Sequence, residues 1–231
     1  MIEPSSKAQR ASRRGALKLM PPVNRAAGRR PNLDETRRRI LDAAEEHFRR
    51  IGYHKTSIAD IASGVGMSPA NVYRYFPSRD AINETICRRI LDAVVDIALA
   101  IAGAKAPAVD KLKCVLTTVH RHNKMTWVTE RHVHDLIVTA LQENWPTMKT
   151  HLQRMAAIFE EIIRDGVTAS EFEVEDTAEA AGAVQLAFMP FFHPILIEHC
   201  VQLGEDSEER LGTQIRFILK ALGSSAAYEQ S

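Results

Sequence analysis

The stretch TSIADIASGVGMSPANVYRYFPSRDAI, Thr56 to Ile82, holds three helix starts in 27 residues. Ser57 stands three residues before Asp60, the spacing in which a hydroxyl and a carboxylate satisfy each other's backbone amides at a helix start. Ile58, Ile61, Ala62 and Val65 follow at i, i+3, i+4 and i+7, one apolar face of a short helix. Gly64-Val-Gly66-Met breaks it. Ser68 followed by Pro69 then supplies an N-cap and a first-position proline for a second helix. Pro77 ends that one, and Ser78 caps a long helix running from about Arg79 to Ala102.

On a wheel of about 100° per residue counted from Pro69, Val72 and Phe76 fall on Pro69's side. This is the side expected to be buried. Ala70, Asn71 and Arg74 lie opposite, with Tyr73 on one flank and Tyr75 on the other. A narrow polar face between two aromatic shoulders, preceded by a helix and a glycine turn, is the form of a helix-turn-helix whose second helix enters the major groove. Arginine pairs with guanine and asparagine with adenine there, while tyrosine hydroxyls and helix N-terminal amides suit phosphates.

Outward from this stretch, every segment with a clear period reads as helix, and the alternation of strands is missing, which predicts an all-α fold. Upstream, Ile40, Ala44, Phe48 and Ile51 form the apolar stripe of a helix from about Asp34 to Ile51, with Arg38, Glu45, Arg49 and Arg50 off it and Gly52 closing it. Downstream, helices are expected at about 108–125, 127–143, 146–166, 175–203 and 207–222. Pro190 and Pro194 should kink or split the 175–203 segment. No internal repeat is visible.

With 231 residues and 45% hydrophobic content the chain can bury one large core, or a small domain and a larger one. Its longest apolar runs, such as Ala98 to Ala104, are too short for a membrane span, and the N-terminus lacks the pattern of a secretory signal, so a cytoplasmic protein is expected. Three scattered cysteines, Cys87, Cys114 and Cys200, fit reduced thiols. The formal charge of +1 hides an asymmetry: residues 1–31 hold eight Lys and Arg against one Glu, +7, which leaves −6 for the rest. The first segment reads as a disordered basic arm, either without a role or adding affinity for a polyanion such as DNA.

The residues Thr56, Ile61-Ala62, Gly66, Ser68, Tyr73, Tyr75, Phe76 and Arg79 resemble, in order and spacing, the DNA-binding signature of the TetR family of bacterial transcriptional regulators. The resemblance covers roughly a fifth of the chain. It implies a DNA-binding domain over 32–78, joined by the long helix to a helical regulatory and dimerisation domain over 79–231. It also implies phosphate contacts from Thr56, Tyr73, Tyr75 and Arg79, with base reading by Ala70, Asn71 and Arg74, beside Ser68 and Pro69 at the start of the reading helix. Arg79 replaces the commoner lysine, which keeps the charge; Pro69-Ala70 replaces a frequent small or glycine-containing pair, which leaves base preference open.

The same resemblance implies a homodimer on a palindromic operator, its interface a four-helix bundle built from the last two long helices of each subunit. Wide apolar faces in Ala180, Ala181, Val184, Ala187, Phe188 and Phe191, and in Leu211, Ile215, Ile218, Leu219 and Leu222, are compatible with this. It further implies a small apolar or aromatic effector that releases a repressor of efflux or degradation genes. Met125, Trp127, Trp145, Met155, Phe159, Phe188 and Phe192 could line its cavity, although such residues at helical spacing are more often plain core. An activator or a less specific architectural DNA binder remains the alternative.

His120, His122, His132, His134 and His151 cluster in mid-chain, but i,i+2 pairs point about 200° apart on a helix, which argues against a metal ion within either pair; hydrogen bonding in a pocket, or a solvated ring, is the expected role. Without paired Glu-x-x-His or His-Glu-x-x-His motifs, an all-α metalloenzyme is a remote alternative. GVGMSP follows a helix and ends in proline, unlike a dinucleotide loop. No enzyme activity, cofactor or metal is expected.

Overall fold

The computed structural model of the chain describes residues 33–205 and 207–224. The basic arm expected over 1–31 lies outside them. Among the described residues eleven helices follow one another and there is no strand. The first four are α1 (Leu33–Ile51), α2 (Ile58–Gly64), α3 (Pro69–Tyr73) and α4 (Arg79–Ala102). Then come α5 (Ala108–Thr129), α6 (Arg131–Gln142), α7 (Pro146–Thr168) and α8 (Thr177–Ala187). A short α9 (Met189–Phe192), α10 (Pro194–Gln202) and α11 (Ser207–Ala221) complete the set.

The segment expected over 175–203 is split into α8, α9 and α10, with Pro190 and Pro194 each in the first turn of a new helix. A proline there loses nothing, because the first amides of a helix have no internal acceptor. The boundary expected near 126 lies further on: α5 runs through Thr129 and breaks at Glu130, whose φ of −116° and ψ of 71° are not helical. Gly52, at φ +88°, takes the left-handed conformation that ends α1.

Two hydrophobic cores fill the molecule. One gathers Ile40, Ala44 and Phe48 of α1, Ile61 and Ala62 of α2, Val72, Phe76, the first half of α4 through Leu91, and the α6 residues Val133, Leu136 and Ile137. The other gathers Val94, Val95, Ala98 and Ala102 of α4 with the inner faces of α5, α7, α8 and α11. No break in packing therefore falls at the expected 78/79 boundary. The long helix serves both cores, changing from one to the other between Leu91 and Val94. Helix α6 is fastened to the α1–α2 region by Tyr53, whose hydroxyl donates to Thr139 Oγ1 at 2.6 Å, and by the Arg49–Glu130 ion pair.

Candidate nucleic-acid interface and effector cavity

The local chemistry of Thr56 to Ile82 is built as its residues suggest. The Ser57 amide donates to Asp60 Oδ2 at 2.8 Å while the Asp60 amide donates to Ser57 Oγ at 3.2 Å, a reciprocal cap that opens α2. The Ser57 side chain and amide hold the Asp60 carboxyl below its ordinary range. At the turn, Gly66 adopts φ +69°, a conformation that a side chain would strain, and the Met67 amide returns to the Ala62 carbonyl at 2.9 Å. Ser68 Oγ then accepts from the Asn71 amide at 3.3 Å to open α3, and Ser78 Oγ accepts from Ala81 at 3.0 Å to open α4.

Val72 and Phe76 are buried, and Ala70, Asn71, Tyr73 and Arg74 are exposed, so the polar stripe of α3 faces outward. Tyr73 keeps 51% of its surface exposed; Tyr75 and Arg79 are half-buried beside the stripe. Two residues differ from the expected placement. Pro69, set on the buried side by the wheel, is exposed, because α3 has only five residues and its first turn stands clear of the core. Thr56 is wholly buried, and its hydroxyl donates to the Gly52 carbonyl at 2.9 Å, so its side chain stitches the end of α1 to the start of α2 instead of facing outward.

A residue that the sequence reading passed over supports this face from behind. Arg37 of α1 donates from Nη1 to the Tyr75 carbonyl at 2.5 Å, and its guanidinium carbon lies 4.4 Å from the centroid of the Phe76 ring. The contact spans 38 residues of sequence, and in the sequence Arg37 is one of three consecutive arginines with nothing to single it out.

A cavity of about 70 Å³ lies where the two cores meet. Leu91 and Val94 of α4 line it, together with Trp127, Met155, Phe159 and Phe192 from the expected set. The other three candidates are elsewhere. Met125 points outward with 71% of its surface exposed, Phe188 is fully buried in the second core, and Trp145 lines an open groove that adjoins the cavity through Leu141, Met148, Leu152 and Gln185, its indole donating to Glu143 Oε2 at 2.9 Å. The cavity has a polar component, of which the sequence reading named only His151. Asn123, His151, Gln185 and His193 line it, and among the described residues no Asp, Glu, Lys or Arg does.

Asn123 Nδ2 donates to the Phe192 carbonyl at 3.4 Å, whereas Asn123 Oδ1, Trp127 Nε1, His151 Nδ1 and His193 Nδ1 are buried without a partner. Burial, helped by the nearby Arg154 and opposed by Asp92, pushes the His151 imidazole down to about 4. Burial also lowers His193, with His134 adding to the effect. The remaining histidines have other surroundings. His120 bonds both ring nitrogens, Nδ1 to the Phe191 carbonyl at 2.9 Å and Nε2 to Ser207 Oγ at 3.2 Å, and so ties α5 to α9 and α11. Since the carbonyl can only accept, Nδ1 carries the proton of the neutral ring and Nε2 accepts from the serine. His134 lies against Glu198, its Nε2 at 3.3 Å from the carboxylate.

Of the residues expected at a dimer interface, Val184, Leu211, Ile215, Ile218 and Leu222 are buried in the subunit's own core, and Ala180, Ala187 and Phe191 are half-buried against it. The apolar stripe visible in sequence is the inner face. Outward, α8 presents Leu186, 72% exposed, and α11 presents Phe217, 65% exposed.

Residues 40–86 match the family model described as bacterial regulatory proteins of the tetR family, and residues 108–211 match the tetracyclin repressor-like C-terminal domain. Between them the two matches take in about two-thirds of the chain. The HTH-type transcriptional regulator RutR of Escherichia coli K12 is 42% identical over 53 residues, 23% of this chain and 25% of RutR, so the likeness to that curated relative spans about a quarter of its length. The structure of SmeT, the repressor of the Stenotrophomonas maltophilia multidrug efflux pump SmeDEF, superposes with a TM-score of 0.61 at 17% identity, over 85% of this chain and 94% of SmeT. The fatty acid degradation regulator FadR of Bacillus halodurans gives 0.59 at 16% identity, over 80% and 94%. At such identities the two structures speak for the fold alone. With a capped helix-turn-helix at its N-terminal end, an all-helical body behind it and both family models matched in order, the chain belongs to the TetR family of bacterial transcriptional regulators.

Proposed function

We propose that the protein is a ligand-responsive repressor that binds a palindromic operator as a dimer and acts by binding, not by catalysis. The observation that carries the DNA-binding half is the outward stripe of α3, Ala70, Asn71 and Arg74 between Tyr73 and the half-buried Tyr75. Asn71 and Arg74 read base edges; Tyr73, Tyr75, Arg79 and the start of α3 at Ser68 and Pro69 lie against phosphates. Thr56 serves this interface by fixing the α1–α2 turn. The DNA-binding unit comprises 32–78 and the regulatory unit 79–231, with α4 common to both cores. Exposed Leu186 and Phe217 support a second copy on the outer faces of α8 and α11.

The cavity at the junction of the cores receives a small, mostly apolar effector whose binding releases the operator. The genes proposed as its targets, in the cytoplasm, are those of efflux or degradation. The test is a footprint on the DNA flanking the protein's own gene at physiological salt, followed by two variants. Arg74→Ala should lose roughly 1 to 3 kcal/mol of discrimination and relax base preference, whereas Tyr73→Phe should weaken cognate and scrambled sites alike. Equal losses on both DNAs for both variants refute the assignment of roles.

A further inference from the structure

The cavity between Leu91 and Val94 of α4 and the inner face of α5 combines three properties: small size, an uncharged lining and buried polar atoms with nothing to bond. Its volume of about 70 Å³ holds roughly five water-sized probes, the room of about one ring. Asn123 and Trp127 stand at i and i+4 on α5, so both look out from one side of that helix, and each is 5% exposed. Their needs are opposite. Asn123 commits its amide nitrogen to the Phe192 carbonyl, which leaves Oδ1 as an acceptor seeking a donor, while the indole Nε1–H of Trp127 can only donate. A hydroxyl is the smallest group that answers both, donating to one and accepting from the other.

We propose that the cavity takes an uncharged, hydroxylated compound of about one ring, its hydroxyl donating to Asn123 Oδ1 and accepting from Trp127 Nε1–H. Met155, Phe159 and Phe192 close on the apolar body. An ionised carboxylate or phosphate finds no cation in the lining and is rejected by the cost of its desolvation. His151, held neutral at pH 7 by its burial, adds no charge to attract one. The inference rests on the regulator reading only in naming this occupant as the effector.

The full-length protein is titrated calorimetrically at neutral pH with 4-ethylphenol, ethylbenzene and 4-ethylbenzoate, and the same titrations are made with Asn123→Leu and Trp127→Phe. The phenol should bind roughly tenfold tighter than the hydrocarbon, the value of about one buried hydrogen bond, and the benzoate weakest. Each variant should bring phenol and hydrocarbon to within roughly threefold of one another. Hydrocarbon binding equal to phenol in the parent, tightest binding of the benzoate, or an undiminished phenol preference in either folded variant overturns the proposal. So does the absence of phenol binding, and if the same preparation still protects an operator, the regulator reading stands without it. Binding of the phenol without release of the operator supports the site and overturns its role as the switch.

Discussion

Removing the Arg37 side chain tests whether α3, the proposed reading helix, is held from behind. Its guanidinium makes a charge-assisted bond to the Tyr75 carbonyl at 2.5 Å and stacks over the Phe76 ring at 4.4 Å. A bond of this kind is worth about 1.5 to 3 kcal/mol when sheltered, but Arg37 is exposed, so solvent screening reduces it to about 1. The cation–π contact at an exposed site adds roughly 0.5 to 1 kcal/mol. Arg37→Ala should therefore destabilise the protein by roughly 1 to 2 kcal/mol in a urea titration. Because Tyr75 and Phe76 follow α3 directly after its C-cap Arg74, part of that loss falls on the placement of its outward polar stripe. Operator affinity, followed by fluorescence anisotropy over a series of salt concentrations, should fall roughly fivefold to tenfold with an unchanged salt slope. Arg37→Lys, which keeps the charge but loses the planar stack, should recover only part of the stability. If Arg37 instead neutralises a phosphate, the alanine variant will lower the slope by about one unit and leave stability unaltered, and that outcome refutes the reasoning.

Gly166 of α7 faces Phe172 so closely that an added Cβ would lie 2.1 and 2.6 Å from two ring carbons and 2.9 Å from the Ala108 Cβ. The ring cannot retreat freely, because the amides of Glu171 and Phe172 both donate to the Gly166 carbonyl. Gly166→Ala should cost about 2 to 3 kcal/mol net of a helix-propensity gain of up to about 1, lowering Tm by about 5 to 10 °C, with partial recovery on adding Phe172→Leu. A rise in Tm would mean that propensity outweighs the clash. Phe217→Glu should convert a dimer to monomers in sedimentation without loss of helix content, whereas Val184→Glu, 1% exposed in the parent residue, should unfold the chain. A dimer that persists in Phe217→Glu removes the outer face of α11 from the interface. His151 takes up its proton near pH 4 when folded and near 6.5 when unfolded, so the unfolded chain binds the proton first. Stability should accordingly be full above about pH 6.5 and decline as the pH falls towards 4, by up to about 3 kcal/mol from this group. His151→Gln should flatten that part of the profile, and an unchanged profile would assign the decline to other groups.

What the sequence reveals best is what neighbouring residues settle among themselves. Ser57 with Asp60, Ser68 with Pro69, and Ser78 each act within four positions, so their caps are legible without a tertiary structure. The prolines at 190 and 194 are equally local. Periodicity fared differently at the ends of elements. The wheel misplaced Pro69 because α3 makes little more than one turn, too short for a complete face to exist. It also singled out Val184 and Ile215 as apolar without saying whose core they enter; the exposed Leu186 and Phe217 stand out only against a packed subunit. The cavity was half-legible for a related reason. Trp127, Met155, Phe159 and Phe192 are the large residues one would choose, but Asn123 and His193 become notable only when helices distant in sequence enclose them and leave an atom of each without a partner.

Helix α4 enters one core at its start and the other at its end, with the cavity at the crossing. From Leu91 back to Arg79 is twelve residues, about 18 Å of helix, with a further 16 Å or so beyond to Ala102. A tilt of about 5° pivoting at the crossing would move the Arg79 end by about 1.6 Å, more than half the length of a hydrogen bond. The far end would travel almost as far the other way. A disturbance smaller than a methyl group at Leu91 or Val94 is thus enough, by simple leverage, to shift the start of α4, and with it the phosphate contact proposed for Arg79, by more than half the length of a hydrogen bond.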